Sequence, residues 1–90
     1  MRLENCHDML TAAQIRAARA LLSWSQPALA KASGLSLPTI VRMESLVGPG
    51  RSSAANVEAV QRALENAGVV FLEADDANAV GPGVRLKPGS

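Results

Sequence analysis

Apolar residues recur at helical spacing along most of the chain and switch to strand-like alternation near its end. Between Thr11 and Trp24, Ile15, Ala18 and Leu22 fall on one face with Leu21 at its edge, which predicts an amphipathic helix. Thr11 and Gln14 have capping-box spacing, and Leu10 is placed to staple against Ile15 across the helix start. Ser25 then caps a second helix that tolerates Pro27 in its first turn, and Leu29, Ala30 and Ser33 share a face. Gly34 is the residue able to leave that helix with positive φ. Ser36 caps a third helix, with Pro38 in its first turn and Ile40 and Met43 one turn apart.

Residues 46–53 break the helical pattern, because Gly48-Pro49-Gly50 cannot stay helical. A fourth helix follows over Ala54–Ala67, with Val57, Val60 and Leu64 inward and Gly68 as its stop. Val69–Leu72 and Val84–Lys87 then read as strands around a polar, turn-rich stretch. Two strands alone are marginal in water. The pair is therefore expected either to pack as a hairpin on its own helices or to join the same element of a second subunit. The chain divides into an N-terminal arm (1–9, expected to be flexible), a helical domain (10–68) and a β-strand extension (69–90) that is a possible dimerisation element.

Composition narrows the class. Ninety residues make one small domain, and 48% hydrophobic with only 2% aromatic content suits short, closely packed helices. The net charge of +1 by itself says little, but its distribution is uneven. Residues 1–62 carry seven Arg or Lys against four Asp or Glu, whereas residues 63–90 carry two against four. Positive charge therefore accompanies the helices, a pointer toward a phosphate-facing surface. Cys6 is the only cysteine, which rules out an intramolecular disulfide. No apolar run has the length of a signal peptide or membrane span, so the expected location is cytoplasmic, with no membrane partner. One Cys and one His cannot complete a tetrahedral zinc site within one chain, so Cys6-His7-Asp8 reads as part of the arm. No metal, cofactor or catalytic set is expected. The Gly-rich loop lacks the GxxxxGK(S/T) pattern of a nucleotide site, and Asp75-Asp76 reads as solvated charge in a flexible turn.

Two short helices joined by a Gly-containing corner form a helix-turn-helix, whose second helix can enter a DNA major groove. The stretch SQPALAKASGLSLPTIVRME, residues 25–44, resembles that unit in lambda-repressor-like (Cro/repressor, XRE-type) DNA-binding domains. Ser25-Gln26, Leu29-Ala30, Gly34, Ile40 and Glu44 carry the resemblance, which extends from about Leu10 to about Val69, roughly two thirds of the chain. It implies a mainly α fold, a compact domain of four or five helices, to which the strand pair is added. It also implies a partly buried ion pair between Arg19 and Glu44, whereas the residues alone allow Arg19 to be a solvated arginine. Trp24 is expected to plug the junction of the first two helices.

Carried over by position, Gln26, Leu37, Pro38, Thr39 and Arg42 face the groove, and Ser25 and Ser36 sit near backbone phosphates. Arg51, in the loop before the fourth helix, is either an ordinary loop residue or a phosphate contact. Arg42 is the best hydrogen-bonding reader, since guanidinium matches guanine O6 and N7 bidentately. Leu37 and Pro38 depart from the polar residues often found there; they can touch thymine methyls but cannot read donors and acceptors, which assigns part of the recognition to DNA shape. The expected function is a sequence-specific double-stranded DNA-binding regulator, a small dimeric repressor acting by operator occupancy. The alternative is a protein-interaction regulator, such as an antitoxin or antiactivator, that uses the same fold to bind a protein.

Overall fold

The computed structural model of the chain describes residues 10–45, 48–49, 52–78 and 80–88. The N-terminal arm and Arg51 lie outside these residues. The described part is mainly helical: α1 (Ala12–Leu22), α2 (Gln26–Ser33), α3 (Leu37–Met43) and α4 (Ala54–Asn66), followed by β1 (Val69–Leu72) and β2 (Gly83–Leu86).

Each of these four α-helices begins on a hydroxyl. The side chains of Thr11, Ser25, Ser36 and Ser53 accept the backbone N–H of Gln14, Ala28, Thr39 and Asn56 respectively, each satisfying one donor that the helix start leaves unpaired. At Thr11 the capping box is complete. Pro27 and Pro38 sit in first turns, where a missing N–H costs nothing.

The helix ends differ from a reading of the sequence alone. α1 stops at Leu22 instead of running to Trp24, because Ser23 turns into the left-handed region at φ 58°. The Trp24 N–H then reaches back to the Arg19 carbonyl, and the half-buried indole packs against the core. Gly34 ends α2 the same way at φ 78°, with the Leu35 N–H returning to the Ala30 carbonyl and Leu35 packing inward. α4 ends at Asn66 with Ala67 as its cap, one residue earlier than expected, and runs unbroken for 13 residues.

The core is small and aliphatic. Ile15, Leu29, Ile40, Met43, Val60, Leu64 and Val69 are fully buried, so every helix and β1 contribute to one cluster. The strands pair antiparallel within the chain, Val69 opposite Leu86 and Phe71 opposite Val84, one residue earlier in β2 than the alternation suggests. Phe71, Val84 and Leu86 pack against the helical cluster, so the hairpin shares the helices' core. Its connection is held together by local bonds. Asp75 and Val80 form an isolated bridge, and the Asp75 carboxylate accepts the Ala77 N–H at 3.1 Å and the Asn78 amide at 2.6 Å. Asp75 is thus a turn-organising residue as well as a solvated charge.

The two left-handed helix ends predict opposite responses. A Cβ at Gly34 would meet no atom within 4 Å, so Gly34→Ala carries only backbone strain, about 1 kcal/mol of destabilisation. Ser23→Gly relieves that strain and is expected to stabilise by roughly 0.5–1 kcal/mol. Urea denaturation of the two variants reads both signs.

Candidate nucleic-acid interface

Residues 25–44 form the unit of interest: α2 and α3 joined by the three residues Gly34, Leu35 and Ser36. One buried carboxylate fixes how this unit sits on α1. Glu44 follows the last turn of α3, and its side chain is 2% exposed. Arg19 on α1 grips it with two parallel bonds, Nε to Oε2 and Nη2 to Oε1, each 2.7 Å. This fork-to-fork geometry is the strong form of the arginine–carboxylate pair. Gln26, the first residue of α2, donates its amide to Oε1 at 3.1 Å. The remaining Arg19 nitrogen donates to the Trp24 carbonyl at 3.0 Å. Arg16, one turn before Arg19, donates to the Glu44 backbone carbonyl at 2.6 Å. Three helices thus meet on one residue.

The electrostatics follow. The hydrogen bond from Arg19 to Glu44 holds the guanidinium pKa above its ordinary value; burial opposes it, and the attraction of the opposite charges adds a smaller upward push. A raised folded pKa means that Arg19's contribution is complete below the ordinary arginine value. It fades only as pH rises through the higher folded value, so physiological pH changes leave Arg19 charged and in place.

With Ile40 and Met43 buried, the opposite arc of α3 faces outward. Leu37, Pro38, Val41 and Arg42 are all exposed, and their positions place them on one side of the helix. Thr39 lies off that arc, half-buried, with its hydroxyl 2.8 Å from that of Ser36. Gln26 is also half-buried, its amide turned to Glu44. Ser25 and Ser36 are exposed caps with their oxygens engaged by the helix starts. The structure therefore groups Leu37, Pro38 and Arg42 on one outward face and sets Gln26 and Thr39 to its sides.

Three residues escape a reading of the sequence. Val41, 46% exposed, is one turn from Leu37 and belongs to the same face; the i, i+4 spacing was the signal. Arg16 has a partner distant in sequence that no local pattern marks, and the buried Gln14, legible as half of a capping box, makes further bonds to the hairpin that the pattern does not show. Residues 25–43 contain Lys31 and Arg42 and no acidic side chain. Acidic residues gather elsewhere: a groove of about 620 Å³ between α1, α4 and β1 is lined by Glu58, Glu65 and Glu73 beside Leu10, Phe71 and Leu72. Among the described residues no group of three His, Cys, Asp or Glu could hold a metal ion. No described helix is long and apolar enough to cross a membrane.

Two ion pairs in the same fold predict contrasting sensitivities. Arg19→Met leaves the buried Glu44 carboxylate without its cation and is expected to cost about 3–5 kcal/mol. The Arg19→Met/Glu44→Met double variant removes the stranded charge and is expected to recover at least half of that loss. Arg62 and Glu58 are 2.8 Å apart on the exposed face of α4, with side chains 72% and 61% accessible. Arg62→Ala is expected to cost no more than about 0.5 kcal/mol. Chemical denaturation of the three variants tests this ordering.

In comparisons with known proteins, the chain matches no family model and no curated protein sequence.

Proposed function

We propose that the chain is a sequence-specific double-stranded DNA-binding regulator of the lambda-repressor-like, XRE type, with α2 and α3 as its helix-turn-helix and α3 as the recognition helix. The observation that carries this reading is the combination found at α3. Its outward arc of Leu37, Pro38, Val41 and Arg42 is exposed, the acid-free segment around it is cationic, and buried Glu44 fixes the helix on α1. A helix presented in this way fits the major groove, and a surface without carboxylates does not repel phosphate.

In this mechanism Arg42 donates both of its forks to a guanine edge, and Lys31 adds positive charge on the α2 side. Gln26 serves mainly to hold Glu44, with its second amide hydrogen directed to a backbone phosphate. Ser25, Ser36 and Thr39 stand at the margins of the contact. One such unit buries little DNA, so useful specificity comes from a homodimer on two half-sites one helical turn apart. Occupying the operator blocks transcription in the cytoplasm. The C-terminal hairpin, whose inner face is already used by its own helices, offers its outer face and edges to the second subunit.

One observation favours a second reading. Leu37, Pro38 and Val41 make most of the exposed α3 arc apolar, which also suits a protein partner of the antitoxin or antiactivator kind.

Amide NMR titration with a short generic duplex at low and then higher salt separates the two, since phosphate contacts dominate non-specific binding and weaken with salt. The DNA reading expects salt-sensitive shifts at Gln26, Lys31 and residues 36–42. Absence of shifts there at low salt favours the protein partner. With an operator in hand, Arg42→Ala is expected to cost about 1–3 kcal/mol and to relax specificity at its base pair.

A further inference from the structure

We propose that the exposed face of α3 recognises the 5-methyl groups of pyrimidines in the major groove, with Leu37 and Val41 as the residues that do so. The inference rests on the DNA-binding reading and specifies what that face selects.

Single exposed apolar side chains are ordinary on a soluble domain. Among the described residues four large ones stand out; Leu21 and Val80 are isolated on α1 and the hairpin connection, whereas Leu37 and Val41 share one short helix. Leu37 is 40% exposed and Val41 46% exposed, with Pro38 alongside. They are not surplus core residues, because Ile40 and Met43 already fill the inward side of α3 and are fully buried. Leu37 and Val41 are one turn apart, so their Cβ atoms are about 5–6 Å from each other. Neither side chain carries a donor or an acceptor, nor does Pro38. Arg42 is therefore the one polar side chain on the outward arc of α3.

The major groove offers one apolar feature, the methyl on C5 of thymine; cytosine lacks it and the other base edges present donors and acceptors. Base pairs rise about 3.4 Å per step, so the Leu37–Val41 spacing suits methyls on neighbouring base pairs. Charge selects DNA over an apolar protein surface as the occupant. Residues 25–43 hold Lys31 and Arg42 with no Asp or Glu, and the adjoining Glu44 carboxylate is buried and paired. An apolar strip flanked by Arg42, with the solvent-facing acidic side chains among the described residues kept to α4 and the hairpin, complements a groove in which methyls lie between two rows of phosphate. Removing one methyl-sized contact from water is worth about a fourfold change in affinity, and two such contacts on the order of tenfold.

The test uses the full chain and four short duplexes of equal length, with binding followed by fluorescence anisotropy at low salt. One is alternating A·T and the second the same with deoxyuridine replacing thymidine. The third is alternating G·C and the fourth the same with 5-methylcytosine replacing cytosine. The expected result is on the order of tenfold tighter binding to the methylated member of each pair. In the Leu37→Ser/Val41→Ser variant, altered only at exposed positions, both preferences disappear while salt-sensitive binding persists. Equal, salt-sensitive binding within each pair overturns methyl recognition and leaves the DNA-binding reading standing. Preferences that survive in the double variant overturn the assignment to Leu37 and Val41. No binding to any duplex at low salt overturns the DNA-binding reading and this inference with it.

Discussion

A single carboxylate removed from water sets the geometry of the helical part. Glu44 is placed at the end of α3, and its charge is compensated only if Arg19 on α1 and Gln26 on α2 lie in one particular arrangement around it. A buried ion pair of this kind contributes little net stability, because desolvating two charges offsets most of their attraction. Its effect is selective. Packings of the three helices that leave the carboxylate unpaired are penalised by several times the thermal energy, whereas aliphatic side chains alone would tolerate many of them. The tilt of α3 is therefore set by directional bonds, and the faces it exposes and buries follow from that tilt.

Around this constraint the remaining chemistry is partitioned. Aliphatic residues from four helices and β1 fill one core, while aromatic bulk is confined to its margin, where Trp24 and Phe71 are half-buried. Among the described residues the carboxylates left in water gather on α4 and the hairpin, and the α2–α3 surface keeps only cations. With a net charge of +1, the chain creates a local field by segregation where it lacks an overall excess.

The features legible in the sequence were those whose causes are local. A hydroxyl three residues before a free N–H announces a helix start, as Thr11, Ser25 and Ser36 do; Ser53 caps α4 by the same chemistry, although the sequence reading did not single it out. Gly34 announces a left-handed end, and alternation announces the two strands. Ser23 gave no such warning, since a non-glycine residue takes the same conformation there and shortens α1. Arg16 and Gln14 were opaque for another reason: their partners are 28 and about 60–70 residues away. Gln14 looked like half of a capping box and is that, but its amide is committed elsewhere as well. The Arg19–Glu44 pair could be expected only through resemblance, because nothing in the spacing of a lone arginine distinguishes a buried partner from solvent. Val41 shows the converse difficulty. An apolar residue on a helix invites assignment to the core, and only the burial of Ile40 and Met43 reveals that it lies on the other side.

Gln14 carries a further consequence. Its Oε1 accepts the Thr11 N–H at 3.0 Å, while its Nε2 donates to the Gly83 carbonyl at 3.1 Å and the Leu72 carbonyl at 3.4 Å. One buried amide thus closes the first turn of α1 and clasps both strands of the hairpin where they diverge. Lifting the hairpin would strand that amide and loosen the helix start in the same event. The first turn of α1 and the hairpin therefore belong to one cooperative opening unit, and their amide protons should exchange with solvent at matched rates despite lying at opposite ends of the described chain.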